Sequence, residues 1–281
     1  MIAVTGATGN IGRTLVGLLS EAGEEVVAMS RRPQPAHRAA GVRWAQAGVG
    51  DTKSVRAALA GARALFILLG GELNSRGESP NALLEAAADA GIERVVLVSS
   101  QVSATRPAAL SHARLREFEA AVRASGRDFT ILRPSGFASN ALAWAESVRI
   151  KRTVFAPFGD VALPVIDPAD IAAVAAAALG EDGHAGRTYE LTGPELISPR
   201  QQAAAISQAL GEEVAFVDLS RADARARMVQ FMSEEVVTGT LDVLGIPLPA
   251  EQKISPDVEA VLHRPANPFG EWVARNLPAF Q

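Results

Sequence analysis

The feature that most constrains the fold is a set of three evenly spaced glycines near the amino terminus. Gly6, Gly9 and Gly12 lie in "MIAVTGATGNIGRTLVGLLSEAG", between an apolar run typical of a buried strand and a segment with helical periodicity. At such a junction the first glycine permits a sharp turn, the second lets the backbone approach a pyrophosphate, and the third allows close packing of helix on strand. The amides that open the helix then face the phosphates. We expect Thr8, Asn10 and Ile11, which lie between the glycines, to contact the cofactor as well. The alternative is a βα turn with a purely structural role.

Short apolar runs alternate with helical patterns through the first half of the chain. About six runs rich in Val, Ile and Leu, from "MIAVT" to "FTILRP", indicate parallel strands covered on both faces. We therefore predict an α/β protein with a Rossmann-type doubly wound parallel sheet and a smaller, closely packed C-terminal α/β lobe. Residues 1–133 are expected to form the dinucleotide-binding core, completed by 160–192. Residues 134–159 and 193–281 are expected to form the lobe that closes a substrate cleft.

The second half carries clear helix starts and less clear strands. Asp167 followed by Pro168, and Ser198 followed by Pro199, each read as an N-cap with proline at the first helical position. "RTYEL" and "EVAFVDL" read as further strands, and the last forty residues show no clear period.

Composition narrows the function classes. The chain has 27 basic and 31 acidic residues, a net charge of -4, which argues against a nucleic-acid or anionic-membrane surface. It has no cysteine, so disulfides, thiolate metal sites and thiol nucleophiles are excluded. No apolar run approaches the roughly 20 residues that span a bilayer, and the first residue already belongs to a strand pattern. We therefore expect a soluble, cytoplasmic protein. We also expect no bound metal, because His37, His184 and His263 are scattered along the sequence.

The end of the second strand indicates which dinucleotide is bound. An acidic residue about 20 positions after the glycines would bind the ribose diol of NAD, but the sequence there reads Ser30, Arg31, Arg32. A guanidinium can stack on adenine and bind a 2′-phosphate with paired hydrogen bonds. The pattern therefore favours NADP(H), with Arg31 as the first candidate and Arg32 as the second. The alternative is that both arginines are solvated loop residues.

With "TGATGNIG", "SRRP" and "TILRPSGFASN", the chain resembles the NmrA-like atypical short-chain dehydrogenase/reductase family, and within it the NADPH-dependent quinone and triphenylmethane-dye reductases. The resemblance extends over most of residues 1–215. It implies a Rossmann domain that carries NADP and a smaller lobe that closes a cleft over the nicotinamide. It also implies that Pro134 through Phe137 run beside the nicotinamide, and that Phe137, Asn140 and Trp144 begin the substrate pocket. The spacing of Asn140 and Trp144 equally suits plain core packing.

Two departures from the family pattern stand out. An acidic residue that often follows the third strand is replaced by Gly48, and Asp51 reads as a helix N-cap instead. The Tyr-x-x-x-Lys dyad of the wider superfamily, in which the phenol protonates an alkoxide, is also missing, because the single tyrosine, Tyr189, lies in a predicted strand. At the place of the dyad, His112 and Arg116 are four residues apart. A histidine of near-neutral pKa beside a cation could donate a proton; otherwise it is an exposed or capping residue.

Strand ends supply the remaining candidates. Ser99 and Ser100 close the fifth strand at the carboxyl edge, where ligands of open α/β sheets bind, and Ser99 is a candidate for the catalytic site. Leu68, Leu69 and Gly70 end the fourth strand, where small or apolar groups would let the cofactor pass. The alternatives are an ordinary turn for the serines and ordinary strand core for the leucines.

Loss of the tyrosine acid selects the substrate. A ketone reduced by hydride becomes a basic alkoxide that needs a proton at once, whereas a quinone, an enone or a cationic dye spreads or cancels the charge. We therefore expect an NADPH-dependent oxidoreductase acting on a flat, conjugated small molecule. One alternative is a regulator of the NmrA type that senses NADP(H) without turnover, and another is a nucleotide-sugar epimerase or dehydratase. The oligomeric state, monomer or homodimer, is left open.

Overall fold

A computed structural model describes residues 1–33, 40–70 and 77–281. Its main sheet has seven parallel strands in the spatial order β3-β2-β1-β4-β5-β6-β8. These strands are β1 (Ile2–Val4), β2 (Val26–Ser30), β3 (Val42–Gln46), β4 (Ala64–Leu68), β5 (Arg94–Val98), β6 (Asp128–Pro134) and β8 (Arg187–Leu191). The order reverses between β1 and β4, which opens a crevice at the carboxyl edge. The predicted Rossmann-type sheet is confirmed. His37 lies outside the described residues.

Helices cover both faces of this sheet. The helices are α1 (Asn10–Glu21), α2 (Thr52–Ala58), α3 (Pro80–Asp89), α4 (Val102–Thr105), α5 (Ala113–Ala124), α6 (Ala145–Lys151), α7 (Pro168–Gly180), α8 (Pro199–Leu210), α9 (Arg221–Met228), α10 (Glu234–Gly245), α11 (Asp257–Leu262) and α12 (Phe269–Asn276). Residues of α1, α7 and α11 pack in the core on one face, and residues of α2, α3 and α5 pack in the core on the other. The double cover explains why strand residues of both orientations are apolar.

The predicted helix starts are correct. The Asp51 side chain accepts a hydrogen bond from the Ser54 amide and caps α2. Asp167 caps α7 through the Ala169 amide, and Ser198 caps α8 in a reciprocal capping box with Gln201. Each cap satisfies amides that the first helical turn leaves without a partner.

A second, two-stranded parallel sheet forms the small lobe. β7 (Thr153–Pro157) pairs with β9 (Ala215–Leu219), and their core includes Trp272 and Phe280. The sequence pattern missed β7, because its short "TVFAP" run is ended by a proline. Val258 and Ala266, assigned by sequence to the small lobe, belong to the core that α1 and α7 form on the main sheet.

The chain passes repeatedly between the two lobes. It leaves the main sheet after β6, returns after β7, leaves again after β8, returns before α11 and leaves before α12. No helix in the described parts of the chain is long and apolar enough to cross a bilayer.

Candidate active site

The glycine turn has the geometry of a phosphate-binding turn. Gly6 has a φ of +63°, a conformation that favours glycine. A Cβ placed on Gly12 would stand 2.2 Å from the Gly6 carbonyl oxygen, so the close packing at this position requires glycine. Gly9 caps α1 without any side-chain hydrogen bond. Within the described part of the chain, no hydrogen bond occupies the amides of the first turn, at positions 10–12. The turn therefore presents open amides at the positive end of the helix dipole.

A hydroxyl pair ties this turn to the end of β2. Thr8 Oγ1 lies 3.1 Å from Ser30 Oγ, and Ser30 Oγ accepts the Arg32 amide at 3.2 Å. The arrangement orders the segment that carries Arg31 and Arg32, both of which are exposed. The predicted phosphate-binding arginines thus extend from a structured turn beside the glycines.

Gly48 and Arg13 complete this end of the site. A Cβ at Gly48 would lie 3.0 Å from Cγ of Arg31, so the glycine leaves room for the arginine stem. This contact gives a physical reason for the missing acidic residue. Arg13 was not predicted as a site residue; it is exposed and donates to the Thr8 carbonyl at 3.2 Å. Its position directly after the third glycine could have identified it from sequence.

A cleft of about 200 Å³ lies at the carboxyl edge of β4, β5 and β6. Its lining residues are Leu68, Leu69, Val98, Ser99, Ser100, His112, Leu115, Pro134, Ser135 and Phe137. The structure thus brings together most of the residues singled out from the strand ends. Val98 and Leu115 were missed because neither their type nor their spacing carries a chemical signal, whereas Ser135 lies within the predicted stretch from Pro134 to Phe137.

A larger groove of about 520 Å³ lies elsewhere, between the carboxyl-terminal ends of α1, α7 and α11. It includes neither the glycine turn nor a residue from the carboxyl edge of the sheet. The negative end of the α1 dipole faces this region, which disfavours an anionic cofactor. The smaller cleft is the better candidate.

Ser99 lines the cleft, but its hydroxyl is already engaged. Ser99 Oγ donates to Oε1 of Glu119 at 2.6 Å and lies 3.2 Å from Ser103 Oγ. The residue is only 6% exposed. The Ser99 hydroxyl hydrogen is therefore engaged by a buried carboxylate and is not available for donation to a ligand in the cleft. Ser100 accepts the Val102 amide at 3.2 Å and so begins α4.

Glu119 is held by a two-pronged ion pair. Arg133 Nε and Nη2 donate to its two carboxylate oxygens at 3.0 and 2.6 Å. Burial acts to raise the pKa of Glu119, but the hydrogen bonds from Arg133 and Ser99 outweigh it and the pKa is lowered. The pair fixes the end of β5 and β6 beneath the cleft.

Breaking this pair should destabilise the fold. We expect Arg133→Ala to lower the free energy of unfolding by about 3 to 5 kcal/mol, because it leaves a buried carboxylate without its partner. Because the folded state lowers the pKa of Glu119, this stabilisation is present above pH 4.5 and declines as the pH falls below it. The matched control is Arg123→Ala, which removes a half-exposed arginine 3.8 Å from the same carboxylate and should cost under about 1 kcal/mol. Urea unfolding at pH 7 and pH 4 measures both; equal losses for the two variants at pH 7 would contradict the assignment.

His112 lines the cleft at the start of α5. It is the N-cap residue, outside the helix proper, and its Nδ1 lies 3.0 Å from Ser111 Oγ. Burial and the neighbouring Arg116 cation lower the pKa of His112 to about 4, although Glu251 acts in the opposite direction. The expectation of a near-neutral pKa is wrong. His112 is a neutral imidazole at pH 7, so it can donate a hydrogen bond to an oxyanion but does not carry a surplus proton.

This neutrality predicts a pH profile. We expect His112→Ala to lower kcat/KM about 10- to 100-fold, because an oxyanion donor is lost, with no change in profile shape between pH 5.5 and 8. The wild type should likewise show no inflection from His112 above about pH 5, because its imidazole becomes protonated only near pH 4. Turnover at saturating NADPH from pH 4 to pH 9 tests this. A wild-type inflection between pH 6 and 7 that disappears in His112→Ala would instead indicate an imidazolium acid.

Three other predicted site residues lie outside the cleft lining. Asn140 is exposed in a 3₁₀ helix, and Trp144 packs against the small-lobe core. The alternative of core packing therefore fits Trp144, and neither residue lines this cleft. Gly70 is exposed just beyond β4. Phe137 does line the cleft, and its backbone forms a bridge to Ile166.

Tyr189 cannot replace the missing acid. It lies in β8, where its hydroxyl is 2.9 Å from His184 Nδ1. Burial raises the pKa of Tyr189, so the phenol stays protonated and is not activated. No cluster of three His, Asp or Glu side chains suited to a metal ion occurs within 1–33, 40–70 and 77–281.

Comparison with known proteins gives the family. The model of an NAD(P)H-binding family matches residues 6–182, which includes the glycine turn and the strands beside the cleft. The chain belongs to this NAD(P)H-binding family. A (4-alkanoyl-5-oxo-2,5-dihydrofuran-3-yl)methyl phosphate reductase of Streptomyces griseus is 37% identical over 284 residues, covering 100% of this chain and 99% of the relative. An NAD(P)H azoreductase of Xenophilus azovorans is 32% identical over 288 residues, with 100% and 99% covered.

Solved structures agree with the family assignment. The NADPH-dependent quinone oxidoreductase of Escherichia coli, crystallised with NADPH, aligns with a TM-score of 0.80 at 28% identity over 98% of this chain and 99% of its own. The regulator NmrA, in complex with NADP, has a TM-score of 0.74 at 22% identity over 99% and 95%, which shows a shared fold. The predicted resemblance, the nicotinamide dinucleotide cofactor and the class of NAD(P)H-dependent oxidoreductase are confirmed.

Proposed function

We propose that this family member transfers hydride from NADPH to a conjugated, electron-poor small molecule such as a quinone, an enone or an azo compound. The observation that carries the proposal is the composition of the cleft. Among the residues that the structure describes, its lining is apolar and aromatic, and serines and the neutral His112 are its only polar side chains. Within that lining no tyrosine, lysine or carboxylic acid is available to protonate a basic alkoxide.

The chemistry suits acceptors that tolerate negative charge. A hydride ion brings one proton and two electrons to the acceptor. The second proton that completes the reduction comes from water. In a quinone or enone, the added charge is delocalised onto oxygen, where neutral His112 can stabilise it with a hydrogen bond. Positioning of the flat acceptor against the nicotinamide can lower the activation barrier by several kcal/mol.

The relatives support this substrate class. The names of the relatives include an oxo-dihydrofuran phosphate reductase, an azoreductase and a quinone oxidoreductase. What these acceptors share is an unsaturated, electron-poor system that accepts hydride without producing a localised alkoxide. The same property is what the cleft of this chain requires.

The chain's own residues fit the cofactor. The tight contact of Gly12 with Gly6 and the open amides of the first turn of α1 suit a pyrophosphate. When bound, the dihydronicotinamide supplies the hydride. Arg31, Arg32 and Arg13 lie around the same turn and would hold an adenosine 2′-phosphate. Leu68, Pro134 and Phe137 would exclude water from the nicotinamide side of the cleft. We infer a preference for NADPH over NADH.

Consumption of reduced dinucleotide tests the function. Purified protein is mixed with NADPH and a panel of quinones, azo dyes and unsaturated lactones, with NADH in parallel, and the loss of dinucleotide absorbance is followed. NADPH-selective turnover of at least one conjugated acceptor is the expected result. Turnover of simple ketones in preference to the panel would overturn the substrate class.

A sensing role is the second candidate. The only tyrosine of the sequence, Tyr189 in β8, is hydrogen-bonded to His184 and does not line the cleft. A cleft without a tyrosine acid suits a non-catalytic binder of NADP(H) as well as it suits a reductase. A protein that binds NADPH tightly, distinguishes it from NADP⁺ and consumes none across the panel would favour the sensor. An epimerase or dehydratase of the same fold would need the tyrosine at the cleft, so the structure disfavours it.

A further inference from the structure

Arg116 carries a cation beside the cleft that the protein does not neutralise. It lies on α5, one helical turn after His112. Its Nη2 donates to the Ala109 carbonyl at 2.8 Å, which anchors the guanidinium. Its Nη1 is buried and has no hydrogen-bond partner. Such a donor is costly to leave unsatisfied, which distinguishes Arg116 from the other arginines near the cleft.

Other buried or half-buried arginines of this region are paired. Arg106 donates to both oxygens of Glu251, at 2.7 and 2.8 Å, and Arg133 pairs with Glu119. Arg116 has no carboxylate within 4.0 Å in the described parts of the chain. The contrast marks Arg116 as the charge without a partner.

Glu251, an acid whose charge acts on His112, cannot neutralise Arg116. Glu251 is 1% exposed, and besides Arg106 it accepts from Thr105 and from the Leu248 amide, each at 2.8 Å. These bonds use its acceptor positions and hold it on α4 and the segment after α10. A positive charge therefore remains at the His112 end of the cleft.

The field of Arg116 reaches the lining of the cleft. It is one of the causes that lower the pKa of His112, whose ring lines the cleft directly. A charge acts over several ångströms where little water screens it.

We infer that an anionic substituent of the substrate, a phosphate ester or a carboxylate, binds at the His112 end of the cleft under the attraction of Arg116. This inference rests on the proposed reductase function and narrows it to conjugated acceptors that carry a negative charge. Arg116 is then a specificity-determining residue, and the hydride-accepting atoms lie toward Phe137 and the nicotinamide.

Matched acceptors test the inference. An unsaturated lactone is prepared as its hydroxymethyl, carboxylate and methyl phosphate forms, and kcat/KM is measured for each with saturating NADPH. Wild-type protein should prefer at least one anionic form over the neutral one by about 10- to 100-fold, as expected for the attraction of one nearby charge that little water screens. The form that is preferred identifies the anion. The preference should weaken as salt is raised.

Variants separate Arg116 from a general structural effect. Arg116→Gln should remove the preference, chiefly by raising KM for the anionic forms, with a much smaller effect on kcat/KM for the neutral form. The Kd for NADPH should stay unchanged. Arg116→Lys should retain part of the preference. The control Arg56→Gln removes an exposed arginine that pairs with Asp89 far from the cleft, and should change neither value. Equal loss for neutral and anionic acceptors in Arg116→Gln, or no preference in the wild type, would overturn the inference.

A binding measurement keeps this test independent of turnover. Inorganic phosphate is titrated into the protein saturated with NADPH, so that the 2′-phosphate site is occupied. Wild-type protein should bind it at least about tenfold more tightly than Arg116→Gln does. If this difference appears while no acceptor is reduced, the anion site stands and the proposed reductase function fails. Equal phosphate binding by the two proteins would overturn the anion site.

Discussion

Replacing Gly12 with alanine is expected to weaken NADP(H) binding at least about 100-fold and to destabilise the fold by about 1 to 3 kcal/mol. The added methyl group would stand 2.2 Å from the Gly6 carbonyl and 2.9 Å from Cα of Ala7, so the turn and α1 must separate. Because the amides at the start of α1 hold the pyrophosphate, their displacement affects the cofactor directly. Fluorescence titration with NADPH and urea unfolding of the apo-protein measure the two effects.

Gly17 supplies the control on the same helix. A Cβ there would meet nothing within 4 Å. Gly17→Ala should therefore leave NADPH binding unchanged and stabilise α1 by up to about 1 kcal/mol, since alanine has the higher helix propensity. If Gly12→Ala binds NADPH as tightly as Gly17→Ala does, the glycine turn is not the phosphate site.

Removing the Arg31 side chain is expected to abolish most of the preference for NADPH. Arg31→Ala should raise the Kd for NADPH about 10- to 100-fold and change the Kd for NADH less than threefold, because only NADPH carries the 2′-phosphate. Isothermal titration with each dinucleotide at fixed ionic strength measures the ratio. The double variant Arg31→Ala/Arg32→Ala should lower the preference for NADPH, expressed as the Kd for NADH divided by the Kd for NADPH, still further.

Two further variants sharpen this result. Arg63→Ala removes an arginine paired with Glu24 at the opposite edge of the sheet, and should leave both affinities unchanged. Gly48→Asp should lower NADPH affinity, since its side chain meets the Arg31 stem and its charge repels the phosphate. A parallel loss of NADPH and NADH binding in Arg31→Ala would refute the assignment to the 2′-phosphate.

The sequence predicted features that depend on local chemistry. The caps at Asp51, Asp167 and Ser198 follow from side chains that bond the next few amides, so neighbouring letters suffice to find them. The order of strands and the glycine turn follow from strong periodicity and from the few ways a parallel sheet can be connected.

Features that depend on distant partners were not predictable. Ser99 reads as a free hydroxyl until Glu119, twenty residues away, is seen to hold its proton. The pKa of His112 depends on burial by the folded chain, and Trp144 faces a core to which only the folded small lobe contributes. Arg116 was placed near His112 from spacing alone, but its lack of a partner is visible only in three dimensions.

The repeated passage of the chain between the lobes has a consequence during synthesis on the ribosome. The main sheet is complete only when β8, ending at Leu191, has emerged, and α11 adds to its core still later. β7 must likewise wait for β9, some sixty residues further on. The small lobe, whose core includes Trp272 and Phe280, is therefore completed last, and no single cut by a protease would release one lobe as an intact piece.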